Sequence, residues 1–95
     1  MQIRETLQFS QWLEQLRDLQ AKDRIHARIQ RLSLGLVGDV RGIGDGVSEL
    51  RINYGPGYRV YFTRVGPAIV LLLIGGDKRT QERDIARAID MAKSL

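Results

Sequence analysis

VSELRINYGPGYRVYFTR, residues 47–64, is the stretch that decides the fold. Both halves alternate apolar and polar residues, the signature of half-buried strands. Gly55-Pro56-Gly57 between them is suited to a short hairpin connection, because glycines accept positive φ. Pairing Tyr54 with Tyr58 sets Ile52 opposite Val60 and Leu50 opposite Phe62, so these six form one apolar face for burial against helices. A slip of one residue would expose the whole set. The opposite face then carries Glu49, Arg51 and Asn53 on one strand and Arg59, Tyr61 and Thr63 on the other.

Downstream, Gly66-Pro67 supplies a second reversal before Ala68–Ile74, a nearly all-apolar run expected of a central strand covered on both faces. Two short reversals in succession predict an antiparallel meander, because parallel pairing needs a crossover of about a dozen residues or more. Gly75-Gly76-Asp77-Lys78 leaves that strand, and Thr80 is placed to cap a final helix whose Ile85, Ala88, Ile89 and Ala92 share a face. Upstream, residues 2–8 read as a short first strand and Ser10 as a helix cap. Two apolar stripes, Trp12-Leu13-Leu16-Leu19 and Ala21-Ile25-Ile29-Leu32-Leu36, predict a helical hairpin over about residues 10–34 with Arg24, Arg28 and Arg31 outside. The glycines at 38, 42, 44 and 46 predict turns; neither a Walker nor a Rossmann glycine spacing is present. The expected class is α+β: an N-terminal strand and helical hairpin packed on a small antiparallel sheet, closed by a C-terminal helix, in one domain of 95 residues.

Composition narrows the chemistry. With no cysteine there is no disulfide framework and no thiolate zinc site, and with His26 as the sole histidine a His-based metal centre is not expected. Neither a metal nor a cofactor is called for. No run approaches the roughly 18 apolar residues of a membrane span, and MQIRETLQF lacks the apolar core of a secretory signal, so a cytoplasmic location is expected. Fifteen basic residues against eleven acidic give +4, and most of the cations are arginines. Their forked donors suit phosphate and carboxylate alike, so nucleic acid and an acidic protein are both possible partners.

The polar hairpin face gathers an acid, two arginines and a phenol, with Lys78 following the adjoining strand. It equally describes an ordinary solvent-facing sheet laced by an Arg–Glu pair. Read as a site for RNA, Arg51 and Arg59 hold a phosphate and stabilise charge developing on its oxygens. Glu49 or Lys78 would take the 2′-hydroxyl proton, and Tyr61 would stack on a base or place a proton. His26 and Trp12 read as helix-packing residues.

Two segments, GVSELRINYGPGYRVYF (residues 46–62) and LLIGGDKRTQERDIARA (72–88), carry a resemblance. In this order and spacing the chain resembles the RelE-like toxins of bacterial type II toxin–antitoxin modules, specifically the HigB-type addiction module killer protein branch. The resemblance implies a compact RelE-like α+β fold and a metal-independent endoribonuclease, an mRNA interferase that inhibits translation by cutting messenger RNA on the ribosome. It implies Arg59, in GYRVYF, as the first catalytic candidate, then Lys78 supported by Arg79, then Arg51 in ELR. With Tyr61 and Glu49 these complete the catalytic set, while Arg51, Asn53, Arg59, Lys78 and Arg79 form the RNA-binding set. It also implies a cognate helix-turn-helix antitoxin, through which promoter DNA would mainly be bound. The tyrosine or histidine that ribonuclease members often carry near the C-terminus has no counterpart in MAKSL or GGDKRTQ. The general acid is thus unassigned, and two alternatives stand beside the ribonuclease: a non-catalytic ParE-like inhibitor of DNA gyrase, and a small nucleic-acid-binding module.

Overall fold

The alternating runs do form strands, in a computed structural model that describes residues 1–95. In chain order the elements are β1 (Gln2–Glu5), α1 (Leu7–Gln15), α2 (Leu19–Ser33), β2 (Val40–Gly44), β3 (Val47–Ile52), β4 (Tyr58–Arg64), β5 (Ile69–Asp77) and α3 (Gln81–Lys93), with a 3-10 turn at Lys78–Thr80 before α3. The α+β class is as expected. No helix is long and apolar enough to cross a membrane.

The sheet has the order β1-β5-β4-β3-β2. The meander β2-β3-β4-β5 is antiparallel, but β1 lies parallel to β5, with Gln2 opposite Ile69 and Glu5 opposite Leu72, so the sheet is mixed. Two helices and three strands intervene, which removes the objection that a parallel pair lacks room to cross over. The strand at 40–44 was not foreseen: its glycines do supply positive φ at Gly44 and Gly46, yet Val40-Arg41-Gly42 still pairs with Leu50-Glu49-Ser48.

The hairpin register also differs from expectation. Leu50 faces Val60 and Ile52 faces Tyr58, two residues from the predicted pairing. The even shift preserves the sorting of faces. Its cause is Tyr54, which leaves the strand to donate its hydroxyl to Asp18 Oδ2 (2.9 Å) while Arg24 stacks over its ring at 4.6 Å. The connection therefore spans Asn53–Gly57, closed by Gly57 N donating to Tyr54 O. Asp18 in turn caps α2 through Gln20 N and Ala21 N. α1 begins earlier than expected because Thr6, rather than Ser10, accepts the capping bond, from Phe9 N; the Ser10 hydroxyl donates to Glu5.

Each face of the sheet has a cover. α1 and α2 bury the larger core, built on Phe9, Ile25, Leu32, Leu50, Val60, Phe62, Val70 and Leu72. α3 buries a smaller one with Val47, Tyr61, Leu73, Ile74 and Ala88. A bulge between β4 and β5 lets Leu73 and Ile74 both join the α3 side, since Tyr61 pairs with Ile74 but Phe62 with Leu72. β5 continues through Gly75-Gly76 instead of turning there. A Cβ at Gly75 would collide with the Trp12 ring, and one at Gly76 with the Asp84 carboxylate. The paired glycines are needed for helices to approach from both sides.

Candidate functional site

Where β3, β4 and β5 run out beyond the N-terminus of α3, the sheet floor is left open as a polar cleft of about 400 Å³. Asp39, Arg51, Asn53, Arg59, Lys78 and the 55–57 turn line it, and Pro56 of that turn is the one apolar side chain among them. Four of the sequence-derived site residues thus converge: Arg51, Asn53, Arg59 and Lys78. Register explains the convergence, because Arg51 and Arg59 are directly paired across the strands and share a face. Facing like charges are destabilising unless something neutralises them.

Each arginine is held differently. Arg51 donates from Nε (3.2 Å) and Nη2 (2.9 Å) to one oxygen of Asp39, and its carbonyl accepts from Arg28 Nη1 at 2.6 Å. Arg59 donates from Nη1 to the carbonyls of Gly57 and Tyr58, each at 3.2 Å. Its side chain is only 11% exposed, and its Nε lies 4.0 Å from Glu49 Oε1 with no hydrogen-bond partner. Nη2 makes no bond within the chain. Gly57, at φ +81°, lets the turn lie against both Arg59 and Lys78. Lys78 is exposed and forms no ion pair. Arg59 Nη2 and Lys78 Nζ are therefore uncommitted donors of the cleft, together with Arg51 Nη1 and the Asn53 amide.

The expectation that Glu49 and Tyr61 face solvent is corrected. They belong to the arginines' face, but that face is roofed by α3 one pair further along, and both are fully buried. Glu49 Oε2 accepts from the Tyr61 hydroxyl and from Gln81 Nε2, each at 2.9 Å, while Oε1 faces Arg41 at 3.4 Å. Burial first, and then the bond to Glu49, push the Tyr61 phenol well above its ordinary pKa, so it remains a donor. No base can stack on it there. Arg79 stands outside the cleft, in an adjoining recess that shares Lys78, and is paired with Asp77 at 2.9 Å. That hydrogen bond holds the Asp77 carboxyl below its usual range. His26 is distant, in a shallow recess with Glu5, Ser10 and Glu14. Trp12 packs against Phe9 and edge-on to Tyr58, as a packing residue should.

Besides Arg28 and Arg41, which donate to the Arg51 carbonyl and to Glu49, two participants escaped the sequence reading. Asp39 sits in a segment read only as turns, and Gln81 shows its role only once α3 is docked. A signal for that docking did exist: a strand apolar on both faces needs two covers, and the final amphipathic helix was the available second one.

Chemically, the cleft offers a shallow seat for one anionic group, with a guanidinium edge and a primary amine free to meet it. No protein-family model matches the chain. A protein of Haemophilus influenzae described as uncharacterized is 48% identical over 95 residues, covering all of this chain and 96% of its own length.

Proposed function

We propose that this chain, which belongs to one family with the Haemophilus influenzae protein, is the RelE-like, HigB-type toxin of a type II toxin–antitoxin system and cleaves ribosome-associated messenger RNA. The observation that carries this reading is the pairing of Arg51 with Arg59 beside Lys78 in a mainly polar cleft, with Arg59 Nη2 and the lysine amine uncommitted. A phosphodiester fits that arrangement in size and charge.

The reaction needs no metal: the 2′-hydroxyl attacks the adjacent phosphorus, the P–O5′ bond breaks, and the 5′-oxygen leaves as an alcohol. A 2′,3′-cyclic phosphate or its hydrolysis product remains. Arg59 neutralises the non-bridging oxygens, and Arg51 joins it as the phosphate competes with Asp39. Lys78, placed at the cleft's edge, assists proton transfer or the stabilisation of charge. Asn53 and the neighbouring Arg79 contact flanking nucleotides. The reading places the protein in the cytoplasm with a cognate helix-turn-helix antitoxin, which offers Asp or Glu to the same arginines and carries most contacts to promoter DNA.

Primer extension on messenger RNA from translating ribosomes tests the proposal. Wild type produces new 5′ ends, and folded Arg59→Ala cleaves about 10²–10³-fold more slowly. Cleavage by Arg59→Ala at the wild-type rate rejects the assignment. One observation favours a second reading, the non-catalytic gyrase inhibitor: the cleft holds neither histidine nor tyrosine, because Tyr61 is enclosed. Intact RNA with impaired gyrase selects that reading; intact RNA with unimpaired gyrase selects a plain nucleic-acid-binding module.

A further inference from the structure

The buried carboxylate of Glu49 plays no part in the chemistry proposed above. Nothing in solution reaches it, and each of its oxygens already faces donors: Tyr61 and Gln81 on Oε2, Arg41 and Arg59 on Oε1. A carboxylate at the centre of a domain this small is costly to bury unless its neighbours compensate it. Beside it lies a second anomaly. Arg59 Nε is the one buried side-chain polar atom without a hydrogen-bond partner, and the acceptor it faces is Glu49 Oε1, 4.0 Å away. Buried unsatisfied donors are rare and call for an explanation.

We infer that Glu49 is the positioning residue of Arg59: it steers the Nε side of the guanidinium, leaving the Nη2 edge directed at the phosphodiester. This deepens the ribonuclease reading and rests on it. The arginine has three nitrogens and three destinations. Nη1 is spent on the Gly57 and Tyr58 carbonyls, Nε is drawn by the Glu49 carboxylate, and Nη2 alone is free. Two carbonyl bonds to the same nitrogen leave the fork free to swing about that point; the charge behind Nε removes the swing. Tyr61 and Gln81 keep Oε2 in place, so Oε1 cannot turn away from the arginine. Gln81 is the first residue of α3, so the helix that roofs the sheet also sets the aim of the arginine outside it.

A double-mutant cycle tests the inference, using the full chain and time courses of cleavage on ribosome-bound messenger RNA. Glu49→Gln, which keeps the shape but sets an amide against four donors, should cleave about 10²-fold more slowly, as expected when a catalytic group is misplaced by roughly 1 Å. In an Arg59→Ala background the same change should add nothing, because the group it positions is gone. A purely structural role predicts instead that the two losses multiply, and that result overturns the inference. So does Glu49→Gln at the wild-type rate. Glu49→Asp completes the same cycle if the glutamine variant does not fold. A second readout separates this inference from the ribonuclease reading. In ¹⁵N spectra of the arginine side chains, the Arg59 Nε–H signal should shift in Glu49→Gln. Affinity for a 2′-O-methyl RNA oligonucleotide, which cannot be cleaved, should fall at least several-fold, again only while Arg59 is present. If wild type cleaves no RNA but this binding cycle is non-additive, the positioning role stands and the ribonuclease reading falls. An additive binding cycle, or an unmoved Nε–H signal, removes the positioning role whatever the activity.

Discussion

The two faces of the sheet are built on opposite principles. Under α1 and α2, Phe9, Ile25, Leu50, Val60 and Val70 make a continuous apolar core. Under α3 a smaller cluster surrounds a buried acid and a buried phenol, and opens at one end into the charged cleft. The first face serves stability, where shape and area are what count. The second gives up apolar area in order to hold polar atoms in set positions. A chain of this length has little stability to spare, so the division confines the cost to the face that carries the arginines.

Mutations sharpen this contrast, beginning with the largest expected effect. Phe9→Ala should cost about 3–5 kcal/mol of unfolding free energy in urea titrations, as a fully buried aromatic ring deleted from a packed core. On the other face Glu49→Ala strands the Tyr61 hydroxyl and the Gln81 amide, and should cost about 1–3 kcal/mol. Glu49→Met combined with Tyr61→Phe should regain most of that loss by replacing the pair with apolar bulk, while leaving Arg59 without its counter-charge. If the double variant is no more stable than Glu49→Ala, the α3 face is not polar for the sake of the arginine.

Alkaline titration separates the faces without deleting any packing. The Tyr61 phenol keeps its proton in the folded state above the pH of about 10 at which an unfolded tyrosine loses it. The native state then binds more protons than the unfolded one, so stability is intact below that pH. It falls as pH rises toward the folded value, by at most about 1.4 kcal/mol per pH unit for this group. Tyr61→Phe should flatten this part of the curve; an unchanged slope would contradict the burial of the phenol. The smallest effect belongs to Asp18, the cap of α2 that also accepts from Tyr54. Asp18→Ala should lower the midpoint of thermal unfolding, by less than any of the changes above. The Tyr54 bond holds the Asp18 carboxyl below its ordinary 3.8, so this contribution is present above that pH and disappears as pH falls through the folded value.

The sorting of residues 47–64 between faces was legible because alternation survives any even shift in register. Leu50, Ile52, Val60 and Phe62 share the α1/α2 core, and Arg51 and Arg59 share the opposite side. The register itself was not legible, because it is set by a tertiary bond from Tyr54 to the start of α2, some thirty-six residues away in the chain. β2 was hidden by composition: glycine-rich and half-exposed, it offers only Val40 and Ile43 as apolar contacts. The arginine cluster could be read from the sequence; its surroundings could not. Glu49 and Tyr61 are polar letters in an alternating pattern, and only the docking of α3 makes them interior.

The parallel pairing of β1 with β5 has a consequence for the order of assembly. Residue 2 cannot find its neighbour until residue 69 exists, and Lys78 follows directly on that same strand. During synthesis the N-terminal strand must wait beside its two helices with both edges unpaired, and closing so long a loop is slow compared with local hairpin formation. Assembly of the cleft therefore waits on β5 and on Lys78 after it. A nascent or truncated polypeptide ending before β5 would have Arg51 and Arg59 on a bare hairpin, without the central strand between them and β1, and without the lysine. Synthesis of β5 thus acts as a built-in timer on whatever the cleft does.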